Sequence, residues 1–251
     1  MHIFMATKLI KMHCPNCSSC KIKKNGFTHY GKQNFKCLAC DRQFVNSSDH
    51  YISQSKRALI SNALIERVSL RGICRIFGVS LTWLLKFMVQ TYSEAPMDLG
   101  AKLPLKDSAK NLKIIGLQID ESWSFVQSKA NVCWIWVVLN PHNNQVICFH
   151  IGSRGADCAK ALWKKIPPRL RKYCDFYSDD LHSYKSVLPK SQHYIGKSYT
   201  QHIERFFCTM RHRVSRLVRD NLAFSKKRAN HELALRYYFW KYNIAQAALH
   251  V

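Results

Sequence analysis

Two short motifs carry the most explicit chemistry in this chain. Cys14-Pro-Asn-Cys17 and Cys37-Leu-Ala-Cys40 are C-x-x-C pairs separated by 19 residues. A tight turn between two cysteines lets both thiolates reach one ion. Two such turns close a tetrahedron with no open position, as in a structural four-thiolate zinc site. Such a site holds together a unit too small to build a core of its own. Cys20 and His13 are further ligand-type residues able to exchange with Cys17 or Cys14. Between the pairs, Lys21, Lys23, Lys24, Lys32 and Lys36 mix with Tyr30 and Phe35, cations and aromatics that suit a phosphate-facing surface.

The acids form the second group. Lys plus Arg number 39 and Asp plus Glu only 15, so the default fate of an acid here is a salt bridge. Glu121, Asp157, Asp175, Asp220 and Glu232 are read that way. Asp120, Asp179 and Glu204 are placed differently. Asp120 ends the strand-like run Ile114–Asp120, Asp179 and Asp180 follow a strand expected over Tyr173–Tyr177, and Glu204 lies in the first turns of a basic helix beginning near Thr200. Two strand-end carboxylates and one helix carboxylate can converge on one pocket. Their hard oxygens suit Mg²⁺, which keeps waters and phosphate oxygens in its remaining positions. A pair of such ions serves phosphoryl transfer, one activating the attacking hydroxyl and the other stabilising the leaving oxygen.

The elements that must position these residues follow from periodicity. Residues 1–50 read as short strands around a metal, with turns at Asn25-Gly26 and Gly31. Across 55–92, apolar residues recur at three- and four-residue spacing, which predicts three short helices. Within them, apolar positions 73, 76, 77, 79, 81, 84 and 85, with Gly78 in the turn and Ser80 as N-cap, form a helix-turn-helix pattern. Its second helix, Leu81 to about Gln90, presents Thr82, Trp83 and Lys86 outward as candidate DNA contacts. Residues 96–112 have linker composition. Strands are expected over Ile114–Trp123, Val132–Leu139 and Gln145–Ile151. A helix over Ala156–Ile166, the strand Tyr173–Tyr177 and basic helices with breaks near Asn221 and Lys226–Arg228 complete the pattern. The expected organisation is multidomain α+β: a zinc-ribbon-like unit at 1–50, a helix-turn-helix at 51–95, a linker at 96–112 and a sheet domain at 113–251.

Composition narrows the partners. With 251 residues, 47% of them hydrophobic, the chain can bury real cores. A net charge of +24 calls for a polyanion, and nucleic acid is the common one because each neutralised phosphate releases counterions. No apolar run approaches the ~18 residues of a spanning helix, so no membrane partner is expected. Met1–Cys14 lacks the pattern of a secretory signal, which predicts a cytoplasmic, nucleoid-associated protein. Eleven cysteines are an odd number in a chain too large to need disulfide staples.

Four stretches together resemble the DDE transposases of the insertion sequence one family: Asp120-Glu121-Ser-Trp123, Ser178-Asp179-Asp180-Leu-His-Ser-Tyr184, Tyr199-Thr-Gln201-His-Ile203-Glu204-Arg205 and Phe224-Ser-Lys226. The 24 residues between Asp179 and Glu204 match that family's short interval. The amino-terminal part is similar to the family's small accessory reader, so the likeness runs from about residue 12 to 245. The resemblance implies an RNase H-like α/β catalytic domain with a mixed sheet, in which Asp120, Asp179 and Glu204 hold two Mg²⁺ ions, Mn²⁺ being a substitute. It also implies binding to terminal inverted repeats of double-stranded DNA, cleavage at the element's ends, strand transfer into target DNA, and a homo-oligomer on DNA. Asp180 stands where the family usually has glycine; strand register and the spacing to Tyr184 favour Asp179. Reader and catalyst form one continuous chain. Arg205, Arg211, His212, Arg213, Arg216 and Arg219 are expected along the helix after Glu204, with Arg211 on Glu204's face and Arg205 beside it as candidate DNA contacts. Two other readings are a non-catalytic DNA-binding regulator and a nuclease on the same fold. Joined strands, nicks alone or binding alone discriminate among them.

Overall fold

The computed structural model describes residues 12–45, 52–102, 116–217 and 224–249. Part of the expected linker, the start of the strand expected from Ile114, Arg219, Asp220 and the break at Asn221 lie outside them. The chain divides into two compact units, Met1–Leu59 and Ile60–Val251. Helix α1 (Gln54–Ala63) runs across the division.

The first unit is a three-stranded antiparallel sheet, β1 (Ile22–Phe27), β2 (Gln33–Cys37) and β3 (Gln43–Val45), with β2 in the middle. Gly26 and Gly31 adopt φ of +69° and +73°, the left-handed conformation that a side chain disfavours. They sit where β1 breaks register and turns into β2. Of residues 12–45, only Cys14 and Cys37 are buried. Phe35 and Phe44 stack at 6.0 Å, but nothing there amounts to an apolar core. A unit so poor in burial needs a staple.

The second unit is built on a five-stranded mixed sheet in the order β6-β5-β4-β7-β8. β4 (Leu117–Phe125), β5 (Val132–Asn140) and β6 (Gln145–Gly152) form an antiparallel meander, while β7 (Phe176–Ser178) and β8 (His193–Ile195) add in parallel beside β4. The strand expected over Tyr173–Tyr177 is shorter and shifted, because Pro168 opens a further helix, α5 (Pro168–Tyr173), that takes Tyr173. Proline at the first helical turn loses no hydrogen bond and has its φ preset. β8 has no counterpart in the periodicity; three residues cannot show one.

Helices cover both sheet faces. On one face, α4 (Ala156–Lys165), α5 and α6 (His182–Lys185) pack against Leu117, Ile119, Trp136 and Val138. On the other, α7 (Gln201–Arg213) and α8 (Arg228–Leu249) pack against Ile135, Val137 and Leu139. The buried Asn243 of α8 fastens the edge: its amide accepts from Val146 N–H (2.8 Å) and donates to the carbonyls of Val146 (2.8 Å) and Leu99 (3.1 Å). Such buried polar groups persist only when paired.

Helices α2 (Leu70–Phe77) and α3 (Leu81–Ser93) cross at 111°. Gly78 sits in the turn at φ +58°, and the Ser80 hydroxyl accepts the N–H of Trp83 at 3.2 Å. Met88 and Tyr92 of α3 share a core with Ala234 and Tyr237 of α8. These helices therefore belong to the compact unit of the sheet, although their composition sets them apart. Ile76, Leu81 and Leu85, expected inside, stand exposed; Leu81 and Leu85 share the α3 face of Met88 and Tyr92 but lie one to two turns before the contact with α8. Among the described residues no single helix is long and apolar enough to cross a membrane.

Candidate functional site

Strand β4 decides where the acids lie. Its odd residues Leu117 and Ile119 enter the core under α4–α6, so its even residues Gln118, Asp120, Ser122 and Ser124 face α7 and α8. That second face is polar throughout. The Gln118 side chain accepts the N–H of Ile203 at 2.9 Å, Ser122 Oγ accepts from Arg211 Nε at 3.4 Å, and Ser124 Oγ bonds His231 Nε2 at 3.2 Å. Asp120 stands in the middle of this ladder, its Oδ1 accepting the N–H of Glu121 at 2.7 Å.

Parallel pairing supplies the second acid. Leu117 pairs with Phe176 and Gln118 with Tyr177, so Asp120 and Asp179 fall at the same height, two residues on along neighbouring strands. The carboxylates of Asp120, Glu121 and Asp179 come within 4.8 Å of one another, a grouping able to hold a metal ion. Asp180 turns away, exposed and paired with Lys185 at 2.5 Å. Asp179 Oδ1 accepts the N–H of Leu181 (3.1 Å), which holds it at the strand end.

Glu204 lies outside that closest group. It sits in the first turn of α7, where the buried Thr200 donates its hydroxyl to Glu204 Oε1 at 3.2 Å. Its charge is still felt at Asp120. Burial first, then the charges of Glu121, Asp179 and Glu204, push the Asp120 carboxyl up to about 7. Crowded, partly buried acids of this kind are the usual mark of a cation site or of acid-base chemistry.

Glu121, read from sequence as a salt-bridging acid, does pair with Arg154 (2.8 Å), yet it also belongs to the acid cluster. Its side chain is 1% exposed, and Tyr184 Oη donates to its other oxygen at 2.5 Å. Burial raises the Glu121 carboxyl, and the Tyr184 and Arg154 bonds oppose that rise. The signal for Glu121 was present in the sequence, a second acid directly after Asp120; Tyr184 stood in the stretch after Asp179, but its bond to Glu121 and that of Arg154, across 63 and 33 residues, had no local signal.

The basic residues divide. Arg205 and Arg211 are exposed on α7, and Arg211 reaches Ser122, one side-chain step along β4 from Asp120. Arg213 bonds Glu66, and Arg216, in a short turn beyond the helix, donates to Ser225 at 2.9 Å. Arg213 is thus engaged in a surface ion pair, and Arg216 in a part-buried bond. On α3, Thr82 and Lys86 are exposed, and Trp83 is half-buried against Phe87 at 4.8 Å.

In the first unit the sulfurs of Cys14, Cys17, Cys37 and Cys40 lie within 4.8 Å of one another and could hold a metal ion. The amides of Asn16 and Ala39 donate to Cys14 and Cys37 sulfur at 3.4 Å each. These bonds shape each pair into a knuckle. Cys20 stands apart, bonded to His13 at 3.2 Å. Lys21, Lys23, Lys24 and Lys32 are exposed.

Asp120, expected at a strand end, lies inside β4, which continues to Phe125; fold and site together define a mixed α+β domain whose acids gather where β4 runs beside the end of β7, joined in one chain to a cysteine-clustered unit. The profile of the IS1 transposase family matches residues 113–244. Insertion element iso-IS1n protein InsB of Shigella dysenteriae is 36% identical over 115 residues, which is 46% of this chain and 86% of that protein. Insertion element IS1 4 protein InsB of Escherichia coli K12 is 28% identical over 125 residues, 50% of this chain and 74% of that protein. The chain belongs to the IS1 transposase family. The family match takes in Asp120, Asp179 and Glu204; the cysteine pairs and α1–α3 precede it.

Proposed function

We propose that this protein is a DNA transposase that binds the terminal inverted repeats of its element and carries out divalent-ion-dependent cleavage and strand transfer on double-stranded DNA. The observation that carries this reading is the parallel register of β4 and β7, which sets Asp120 level with Asp179 just past the end of β7, with Glu204 on α7 close enough for its charge to act on Asp120. Family membership supports it independently. The sheet order and its helices suit an RNase H-like domain.

The donor set fits magnesium. It consists of carboxylate oxygens, and Asp120 is pushed to about 7 by burial and by the neighbouring acids Glu121, Asp179 and Glu204; a divalent ion would relieve that charge. Asp120, Asp179 and Glu204 would hold it. Two bound ions supply activation of the attacking oxygen and stabilisation of the leaving one. The chain's own groups do the rest. Arg211 and Arg205 contact the phosphates beside the scissile bond, and the polar ladder of β4 keeps the groove hydrophilic. Glu121, held from two sides by Tyr184 and Arg154, fixes the strand that carries Asp120.

The four cysteines would hold zinc and so fold the amino-terminal ribbon. The α2–α3 pair has the crossing angle of a helix-turn-helix, and α3 would enter the major groove with Thr82, Trp83 and Lys86. Synapsis of two ends calls for a homo-oligomer on DNA.

The test is incubation with Mg²⁺, a labelled duplex bearing the element's terminal repeats and a supercoiled plasmid. Joined product that disappears in Asp120→Asn, Asp179→Asn and Glu204→Gln, with end binding retained, is expected. Nicks without joining would replace transposase by nuclease, and binding without either would make the protein a regulator.

A further inference from the structure

Three tyrosines from three different elements meet near the acid cluster, and neither the cleavage chemistry nor the core uses them. Tyr177 of β7 stacks on Tyr194 of β8 with centroids 5.3 Å apart and planes at 23°. Tyr199, in the turn before α7, lies 5.1 Å from Tyr177 at 47°. Tyr194 and Tyr199 are 43% and 47% exposed. Aromatic clusters that serve only packing are buried; this one opens to solvent at the edge of the sheet.

The backbone is cut to fit it. A β-carbon on Gly116 would stand 2.2 Å from Tyr177 Cε2, so only glycine lets that ring lie across β4. Beside the rings is a cavity of about 290 Å³ lined by Gly116, Gln118, Tyr177, Tyr199, His142 and His202. It has a flat aromatic wall and a rim of hydrogen-bonding groups, in a chain of net charge +24.

We propose that this tyrosine cluster is a stacking site for an unpaired base of the DNA strand whose phosphate is processed at Asp120. The proposal rests on the DNA reading given above. Gln118 and Asp120 lie on the same face of β4 two residues apart, about 7 Å at roughly 3.3 Å per residue. A DNA strand advances about 3.4 Å per nucleotide, so the base two nucleotides from the reacting phosphate reaches Tyr177. Every base has a π-face, so the site tolerates any sequence while holding the strand in position.

The experiment measures binding of the full chain to a short single-stranded deoxyoligonucleotide and to the same strand made abasic. Removing the bases is expected to weaken wild-type binding about five- to 150-fold, the range of one stacked base at ~1–3 kcal/mol. A Tyr194→Ala/Tyr199→Ala double variant should bind the intact strand as weakly as the abasic one, and the corresponding double phenylalanine variant should bind like wild type. An unchanged thermal melt of the alanine variant excludes misfolding as the cause. An alanine variant that still discriminates fully between intact and abasic strands overturns the proposal. So does a change in self-association with base discrimination intact, which would make the face a contact between two copies. Strand joining by wild type in parallel separates the two readings. Joining without tyrosine-dependent base discrimination removes the stacking site alone. Tyrosine-dependent discrimination without joining keeps the site and removes the transposase reading.

Discussion

The four clustered cysteines and the three closest acids lie at similar separations, yet the two clusters are assembled in opposite ways. The four cysteines fall within 27 residues, in two knuckles whose own amides shape them. Around them almost nothing is buried. The acids come from residues 120, 121, 179 and 204, brought together by a sheet with an apolar core on each face. One cluster has to make its fold, and the other is made by it. An ion at the first would be a structural requirement, whereas an ion at the second would relieve charge that the core has already forced together.

Removing zinc should therefore separate the two units most sharply. Structural zinc contributes about 10 to 16 kcal/mol in small zinc units, more than 12–45 could replace by burial. In Cys37→Ser, or after chelation, backbone amide signals of 12–45 should collapse to unfolded positions. All six tryptophans lie beyond Leu59, so the fluorescence melt should stay unchanged. A ribbon that keeps its amide dispersion without metal would break the contrast.

The acid cluster should respond in the reverse sense. Asp120 titrates at about 7 against an ordinary 3.8. A raised folded value gives stabilisation that is complete below about pH 4 and lost as pH rises through 7. At 1.36 kcal/mol per unit the loss is about 4 kcal/mol. Without divalent ion, Asp120→Asn should thus be more stable than wild type by about that amount at pH 8 and equal to it near pH 4. Parallel pH curves in denaturant melts would mean that the acids are not in conflict.

A smaller effect tests the support behind the site. Tyr184→Phe removes the 2.5 Å donor to Glu121 and should slow strand joining about 10- to 100-fold, as loss of an outer-shell partner does. The deficit should narrow at high Mg²⁺. A deficit independent of Mg²⁺ would assign Tyr184 to packing alone. The smallest effect belongs to α3. Ser80→Ala deletes the cap on Trp83 N–H and should cost about 1 kcal/mol. Because α3 shares a core with α8, the loss should appear in the tryptophan melt of the second unit.

Much of this was legible in the sequence where one element contains its own signal. The C-x-x-C pairs, the Gly78–Ser80 turn, the three β4–β6 strands and the first acid are all local patterns, and each element lies within a few residues of its expected place. The strand before Asp179 was less legible, because Pro168 starts a helix that takes Tyr173 and leaves three residues for β7. Arg213 and Arg216 read as part of a basic helix face, but Arg213 is paired with Glu66 and Arg216 with the buried Ser225. Those partners are 147 and 9 residues away, and no local pattern marks them.

By itself the sequence determined which chemistries are available: thiolates paired across tight turns, a few acids in a strongly basic chain, and alternating strands to hold them. The reason is that knuckles, caps and amphipathic periods depend on neighbours a few residues away. The tertiary structure alone decided which acids meet. Parallel pairing of β4 with β7 sets Asp120 level with Asp179 and turns Asp180 to Lys185. Burial of Glu121 against Tyr184 and Arg154 places a further charge beside them. Register between distant strands and desolvation are properties of the packed sheet, and no local run of residues encodes either one.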